Sequence, residues 1–359
     1  MPDRTGHTAP RTILLAVAAM ALILILIAYR MRGSSFRWDL FWSTLDQVEW
    51  SWLALSICLI LLSNVGRALR WQVMLRPFGR TLGVAKLTSD TAIGLTAVVL
   101  LGRVGEVVRP YLIAMQTGLP LSSQAAAWLL ERTLDLLVVL LFFGFALLWV
   151  PLHSRDFDPQ IHTVLAAGGY VFGATGAICL LLLLAFRNPA RHAQLRILSA
   201  LTFLPPERYA RAERMLDAFS TGVECTRNRP LLALLVAYTG LEWAIIVASC
   251  SALMRGFAVT RQLGPMDVLV LLGFISLGSV VQVPGLGGGM QVATVLALTR
   301  IYGVSFEAAS GVAILFWVVS SLAIIPFGFA CAFHEGLNWS KLKLLSAKQI
   351  LEEPDGRES

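Results

Sequence analysis

The chain has 359 residues, 57% of them hydrophobic and 14% charged, with a formal net charge of +7. A mean hydropathy of +0.71 over this length excludes an ordinary soluble domain and marks an integral membrane protein. The positive charge does not point to nucleic acid. Its arginines sit in short loops flanking apolar runs, where topology signals and anionic headgroup contacts are found. The 5 cysteines (Cys58, Cys179, Cys225, Cys250 and Cys331) are widely spaced, and no pair has zinc or redox spacing. No metal site and no cofactor is expected.

In chain order, Ile13–Tyr29 is a continuous apolar run behind Arg4 and Arg11. It is long for a signal peptide and no small-residue cleavage site follows, so a retained anchor with a cytoplasmic N-terminus is expected. Phe36–Trp52 carries Trp38, Trp42, Trp50 and Trp52 among polar residues, the composition of a segment lying at the membrane interface. The next span begins at Trp52 and ends in Arg67-Ala-Leu-Arg70-Trp71, which places both arginines on one helix face. Arg76, Arg80 and Lys86 make the following loop cytoplasmic.

Thr88–Leu101 and Val107–Met115 are apolar arms of about ten to fourteen residues, reaching only ~15–21 Å. A hydrocarbon core of about 30 Å needs around 20 residues. The link between the arms carries Gly102, Arg103, Gly105, Glu106 and Arg109. The pattern reads as a re-entrant hairpin presenting charge inside a membrane protein, since non-helical backbone at that depth must be buried by protein or face a wet cavity. A loop with solvated charges between two short helices is the plainer alternative.

Trp128–Val150 is a span that begins with Glu131-Arg132-Thr-Leu-Asp135, its carboxylates one turn apart and Arg132 positioned to bridge them. Thr163–Phe186 returns after a polar turn. Arg187–Pro230 holds seven arginines from Arg191 to Arg229, so 188–230 is expected to be a cytoplasmic basic segment. Within it, Glu207–Thr226 has the pattern of an amphipathic surface helix. Leu231–Met254 is a span interrupted by a single acid, Glu242. Pro265–Val283 and Met290–Tyr302 flank a second break containing Pro284, Gly285, Gly287 and Gly288, which cannot continue a helix. Ala308–Phe333 is the last span, and Lys341, Lys343 and Lys348 place the tail, 336–359, in the cytoplasm.

If both basic loops are cytoplasmic, an even number of crossings lies between them. Two long spans already supply these, so Thr88–Met115 must enter and leave on one side. The same count makes Pro265–Tyr302 a second hairpin, dipping from the opposite face. Gly118 falls on Gly303 at an offset of about 185 residues, the weak trace an inverted repeat would leave. The expected fold is therefore all-α: a single polytopic membrane domain over 1–335, with about six full spans and two re-entrant hairpins.

Four stretches, Arg67-x-x-Arg70-Trp71, Gly102-Arg-x-Gly-Glu106-x-x-Arg109, Glu131-Arg132-x-x-Asp135 and Pro284-Gly-x-Gly, resemble the lysylphosphatidylglycerol synthase transmembrane, or flippase-like, family over roughly residues 10–335. The resemblance implies a multi-pass protein of the cell inner membrane that moves or handles amphiphiles, such as anionic phospholipids or polyprenyl- and hopanoid-type lipids. The soluble aminoacyl-transferase domain of the synthases has no counterpart here. The second break, Gly-Leu-Gly-Gly-Gly-Met-Gln291, also lacks an acid that many relatives carry.

Ionisable groups inside a membrane are costly, about 2.5–3.5 kcal/mol or more each, and face cavities and partners. Arg103, Arg109, Arg67 and Arg70 are candidates for holding a lipid phosphate through bidentate guanidinium contacts. Glu106, Glu131, Arg132, Asp135 and Glu242 are candidates for a charge or proton network. A buried ion network that only fixes helix register is the plainer account of Glu131, Arg132 and Asp135. A lipid flippase or transporter is the leading function. The alternatives are a membrane enzyme of lipid-linked sugar metabolism and a lipid-binding scaffold subunit that works with a lipid-biosynthesis partner. No catalytic triad or nucleotide loop is present, and all 5 histidines fall in polar or terminal segments, which argues against an enzyme. Membrane lipids, not nucleic acid, are the expected partners.

Overall fold

The computed structural model describes residues 36–153, 159–186, 228–283 and 287–336, together with Tyr209, Glu213 and Cys225. The expected first span Ile13–Tyr29, the amphipathic helix within 188–230, Pro284, Gly285 and the tail lie outside the described residues.

The elements are α1 (Trp38–Asp46), α2 (Trp50–Leu75), α3 (Val84–Leu101), α4 (Val108–Thr117), α5 (Leu121–His153), α6 (Pro159–Phe186), α7 (Arg229–Arg255), α8 (Pro265–Gly278), α9 (Gly289–Arg300), α10 (Phe306–Trp317) and α11 (Ile324–His334). Two-residue strands, β1 (Gln282–Val283) and β2 (Gly287–Gly288), pair antiparallel between α8 and α9. By length and composition 6 segments are able to cross a membrane: Trp50–Phe78, Val84–Thr117, Leu121–Trp149, Thr163–Leu181, Arg229–Arg255 and Phe306–His334. The protein is a multi-pass, all-helical membrane protein. Five of these segments coincide with spans expected from the sequence; Val84–Thr117 is the one read there as a hairpin.

That segment is not one rod. A 3-10 turn, Gly102–Val107, separates α3 from α4, and Gly102 starts it at φ 67°, which favours glycine. The chain then doubles back. Gly105 lies on the backbone of Ala97, where a Cβ would stand 2.3 Å from its carbonyl carbon, and Gly94 lies against Arg109. Further down, Gln116 donates to Asp90 at 2.9 Å. The arms differ from the sequence reading in one respect: α3 has 18 residues, about 27 Å, against the shorter run expected. The charged Lys86 sits in its first turn, so hydropathy alone cut the arm short at Thr88. With 10 residues, α4 remains far too short to cross.

The second element folds back in the same way. Gly278 and Gly289 touch backbone to backbone, and Tyr302 donates to the Asp267 carbonyl at 3.1 Å. α8 stops at Gly278 after 14 residues, although the apolar run continues to Val283. Closure at Gly278–Gly289, with the β1–β2 pair beyond it, ends the helix there.

Around these hairpins α2 and α7 run antiparallel. Ser56 and Ser249 exchange hydroxyl-to-carbonyl hydrogen bonds of 2.8 Å, and Glu49 N donates to Gly256 O at 3.0 Å. The first hairpin packs on α11, where Gly328 meets Thr96 and the Ala92 carbonyl; the second packs on α5, where Phe143 lies over Gly273. The hairpin tips touch as well, Arg103 donating to the Val280 carbonyl at 2.5 Å. Gly144 receives Gly173 between α5 and α6, the close approach small residues allow where lipid gives no hydrophobic drive.

The last span is not uniform either. Residues Val318–Leu322 form a π turn, with Ala323 N bonded to Val318 O at 3.0 Å. Pro326, just beyond, has no N–H to give to the Leu322 carbonyl, and the helix widens rather than breaks. On the far end of the molecule α1 exposes Trp38, Trp42 and the adjacent Trp50 while burying Phe41, as an interfacial segment should. Arg261 pairs with Glu49 there, and Arg255 lies 5.5 Å from the Trp52 ring centroid.

Candidate functional site

Arg70 is the centre of a buried charge cluster. Its side chain is 0% exposed. It donates to Glu131 Oε1 at 2.6 Å, to Asp135 Oδ1 at 2.6 Å and Oδ2 at 3.4 Å, and its Nε stands 3.0 Å from Glu242 Oε2. α2, α5 and α7 are thereby joined through one guanidinium, whose planar fork suits several carboxylates at once. Trp243 Nε1 adds a hydrogen bond to Asp135 at 3.3 Å.

Arg109, from the return arm of the first hairpin, holds the other side of Glu131 at 3.1 and 3.2 Å and donates to the Arg67 carbonyl at 3.2 Å. Its guanidinium lies 4.2 Å from the Trp71 ring centroid, a cation–π contact, while Trp71 Nε1 donates to Gln124 at 3.2 Å. Two glycines make these placements possible. A Cβ at Gly94 would stand 2.6 Å from Arg109 Cβ, and one at Gly66 would stand 3.1 Å from Glu242 Cβ.

Two cations of the cluster are only partly used. Arg67 places its Nε 2.9 Å from Glu242, but its terminal nitrogens hydrogen-bond to no described residue. Arg132 reaches only 3.8 Å from Asp135 Oδ2, with 42% of its side chain exposed. Both line a cavity of about 460 Å³ together with Asp135, Glu242 and Trp243. Serines 56, 249, 276, 279 and 320 supply further polar wall, and the remainder is chiefly Ile, Leu and Val. Among its lining residues Leu136, Leu277 and Val280 are exposed, and so are Arg132 and Ser279.

Residues 12–328 match the family model described as the lysylphosphatidylglycerol synthase TM region. The chain belongs to that family. No curated protein and no solved structure matches it. Within this family member, three of the four stretches that carry the resemblance meet at one place: Arg67, Arg70 and Trp71; Arg109; and Glu131, Arg132 and Asp135. Of the fourth, Pro284 and Gly285 lie outside the described residues, whereas Gly287 and Gly288 form β2 at the second hairpin tip, Gly288 at φ 117°.

The structure redistributes the roles expected of the charged residues. Arg103 stays out of the cluster, at the surface of the hairpin tip. Glu106 makes no ion pair among the described residues. Arg132 does not bridge Glu131 and Asp135, because Arg70 already occupies the space between them. Arg70 and Arg109 are enclosed by protein partners, which leaves Arg67 and Arg132 as the guanidiniums facing the cavity. Gln124, Trp243 and the cavity serines escaped sequence reasoning, since nothing in their own spacing separates them from ordinary helix residues. Asp90, buried in α3, was missed too, although an acid inside an apolar arm is itself a signal. Among the described residues no cluster of three or more His, Cys, Asp or Glu is arranged to hold a metal.

Proposed function

We propose that this protein binds a membrane lipid by an anionic phosphate headgroup and moves it across the inner membrane, without catalysing a covalent reaction. The observation that carries the reading is the pair Arg67 and Arg132. Both line a cavity of about 460 Å³ whose wall is otherwise mostly apolar, with Leu136, Leu277 and Val280 exposed along it. Four guanidiniums (Arg67, Arg70, Arg109, Arg132) meet three carboxylates (Glu131, Asp135, Glu242), an excess of one positive charge. A phosphodiester headgroup would neutralise it through charge-assisted hydrogen bonds. The volume lies within the range of about 300–1,000 Å³ usual for ligand sites. The acyl chains would stay outside, past Leu136 and Leu277.

The packing supports a transport role over simple storage. Each hairpin rests on a helix of the other half, the first on α11 and the second on α5, and the tips meet between them. An inverted repeat around a central site made by discontinuous helices, the reading we favour, would call for such packing. In this reading both termini face the cytoplasm and the hairpins dip from opposite sides.

The test is mass spectrometry of lipids retained by the gently solubilised protein, beside transbilayer movement of labelled phospholipid in liposomes. Arg67→Ala and Arg132→Ala should each lower retention of one anionic lipid class at least several-fold and slow its movement. Bulk lipid composition in the wild type, with unchanged movement in both variants, would overturn the proposal.

A further inference from the structure

A second, smaller chamber of about 160 Å³ lies on the other side of α2, bounded by the first hairpin and the π turn. Arg67, Ile60, Val319 and Ser320 line both chambers, so they form the partition between them. The small chamber is not a purely apolar void. Asn64 is 3% exposed and spends its amide nitrogen on the Ile60 and Leu61 carbonyls, and its Oδ1 accepts from no described residue. The Ser321 hydroxyl likewise has no partner among the described residues, and Arg67, shared with the large cavity, completes a polar corner. A water needs roughly 10–15 Å³ of such volume, so the chamber has room for a phosphate group with some of its waters.

The two chambers are related as the packing of the halves is related: the large one borders the second hairpin, the small one the first. We propose that the small chamber is a second phosphate site, and that Arg67 swings across the partition to carry an anionic phosphate from one chamber to the other. This rests on the headgroup reading of the large cavity and adds a path to it. Arg67 suits the task because its two terminal nitrogens hydrogen-bond to no described residue, so the swing gives up only the Nε contact with Glu242. Ser320 lines both chambers and donates to the Phe316 carbonyl at 2.7 Å, whereas Ser321 lines only the small one, and the π turn sets both beside the partition.

The test is thiol labelling of Val98→Cys, whose side chain lines only the small chamber, in the full chain with its native cysteines replaced. Labelling by a small thiol reagent is timed in phosphate-free detergent, in detergent with inorganic phosphate, and in phosphatidylglycerol nanodiscs. Occupation should slow labelling at least several-fold, and Arg67→Gln should abolish the protection. Arg67→Lys, which keeps a charge beside Glu242, reads the same loss if the glutamine variant does not fold. Protection in nanodiscs alone assigns a lipid headgroup; protection by inorganic phosphate alone assigns a free anion. Equal rates in all three conditions, or protection that survives loss of Arg67, would overturn the second site. The readout needs no transport, so a failed transport assay refutes the proposed function and this assay refutes only the path.

Discussion

Replacing Arg70 with methionine removes the one group that touches three carboxylates, and its cost follows from the geometry. Arg70 makes two short charge-assisted bonds, at 2.6 Å to Glu131 and 2.6 Å to Asp135, each worth roughly 1.5–3 kcal/mol. Its loss leaves Arg67, Arg109 and the distant, half-exposed Arg132 to serve three acids, Glu131 and Glu242 among them fully buried. Breaking a buried ion pair by deleting one partner costs about 3–5 kcal/mol, so both routes converge near 4 kcal/mol. The assay is denaturant unfolding in lipid nanodiscs followed by tryptophan fluorescence. Adding Asp135→Asn to Arg70→Met restores two balanced pairs, Arg109 with Glu131 and Arg67 with Glu242, and should recover at least half of the loss. Arg70→Lys should sit between wild type and Arg70→Met, since one ammonium cannot reach all three acids. An Arg70→Met protein within about 1 kcal/mol of wild type, or a double variant no better than the single, would refute the view that this network holds the helices together.

Gly94→Ala should destabilise by about 1–3 kcal/mol, because its Cβ would fall 2.6 Å from Arg109 Cβ. Gly240→Ala, where nothing lies within 4 Å, should instead stabilise α7 by about 0.5–1 kcal/mol in the same assay. Arg132→Gln should leave unfolding within about 0.5 kcal/mol of wild type, as expected for a half-exposed cation at 3.8 Å from its partner, while lowering the lipid retained on purification. Lys86→Glu and Glu335→Lys should each loosen the contact between the first hairpin and α11 by about 1 kcal/mol or less, and the exchanged pair should restore it, measured as a double-mutant cycle.

The spans were legible because twenty-residue apolar runs have few other uses, and the two helix breaks because glycines and charges interrupt the apolar runs there. The boundaries were less so. Hydropathy ended the first arm at Thr88, whereas α3 runs back to Val84, since Lys86 reaches Glu335 at 2.5 Å and is satisfied there. It also carried the second hairpin past Gly278, because backbone contact between Gly278 and Gly289 leaves no mark on an apolar profile. The charged stretches were read as a group without their pairing. The i,i+3 spacing of Arg132 and Asp135 is local and visible, but Arg70 reaches Glu131 and Asp135 across 61 and 65 residues of sequence, and local spacing says nothing of that. Only the three-dimensional arrangement separates the arginines that are spent from those that are available.

That separation narrows what the cavity would select if it binds a headgroup as proposed. With Arg70 and Arg109 committed to Glu131 and Asp135, one net positive charge remains across Arg67 and Arg132, and it sits beside Asp135 and Glu242 in a wall of mostly apolar side chains. A phosphodiester brings one negative charge and closes the balance. A phosphomonoester brings close to two and would leave an uncompensated charge near two carboxylates in a poorly solvated space, where opposing charges a few Å apart are strongly felt. A neutral headgroup would leave the arginine excess unanswered. If the cavity binds a headgroup as proposed, the acids would act as more than helix fasteners: by holding the count at one, Asp135 and Glu242 would set which headgroup the two free guanidiniums prefer. Asp135→Asn, which removes one of those acids, should shift retained lipid toward more highly charged phosphate headgroups.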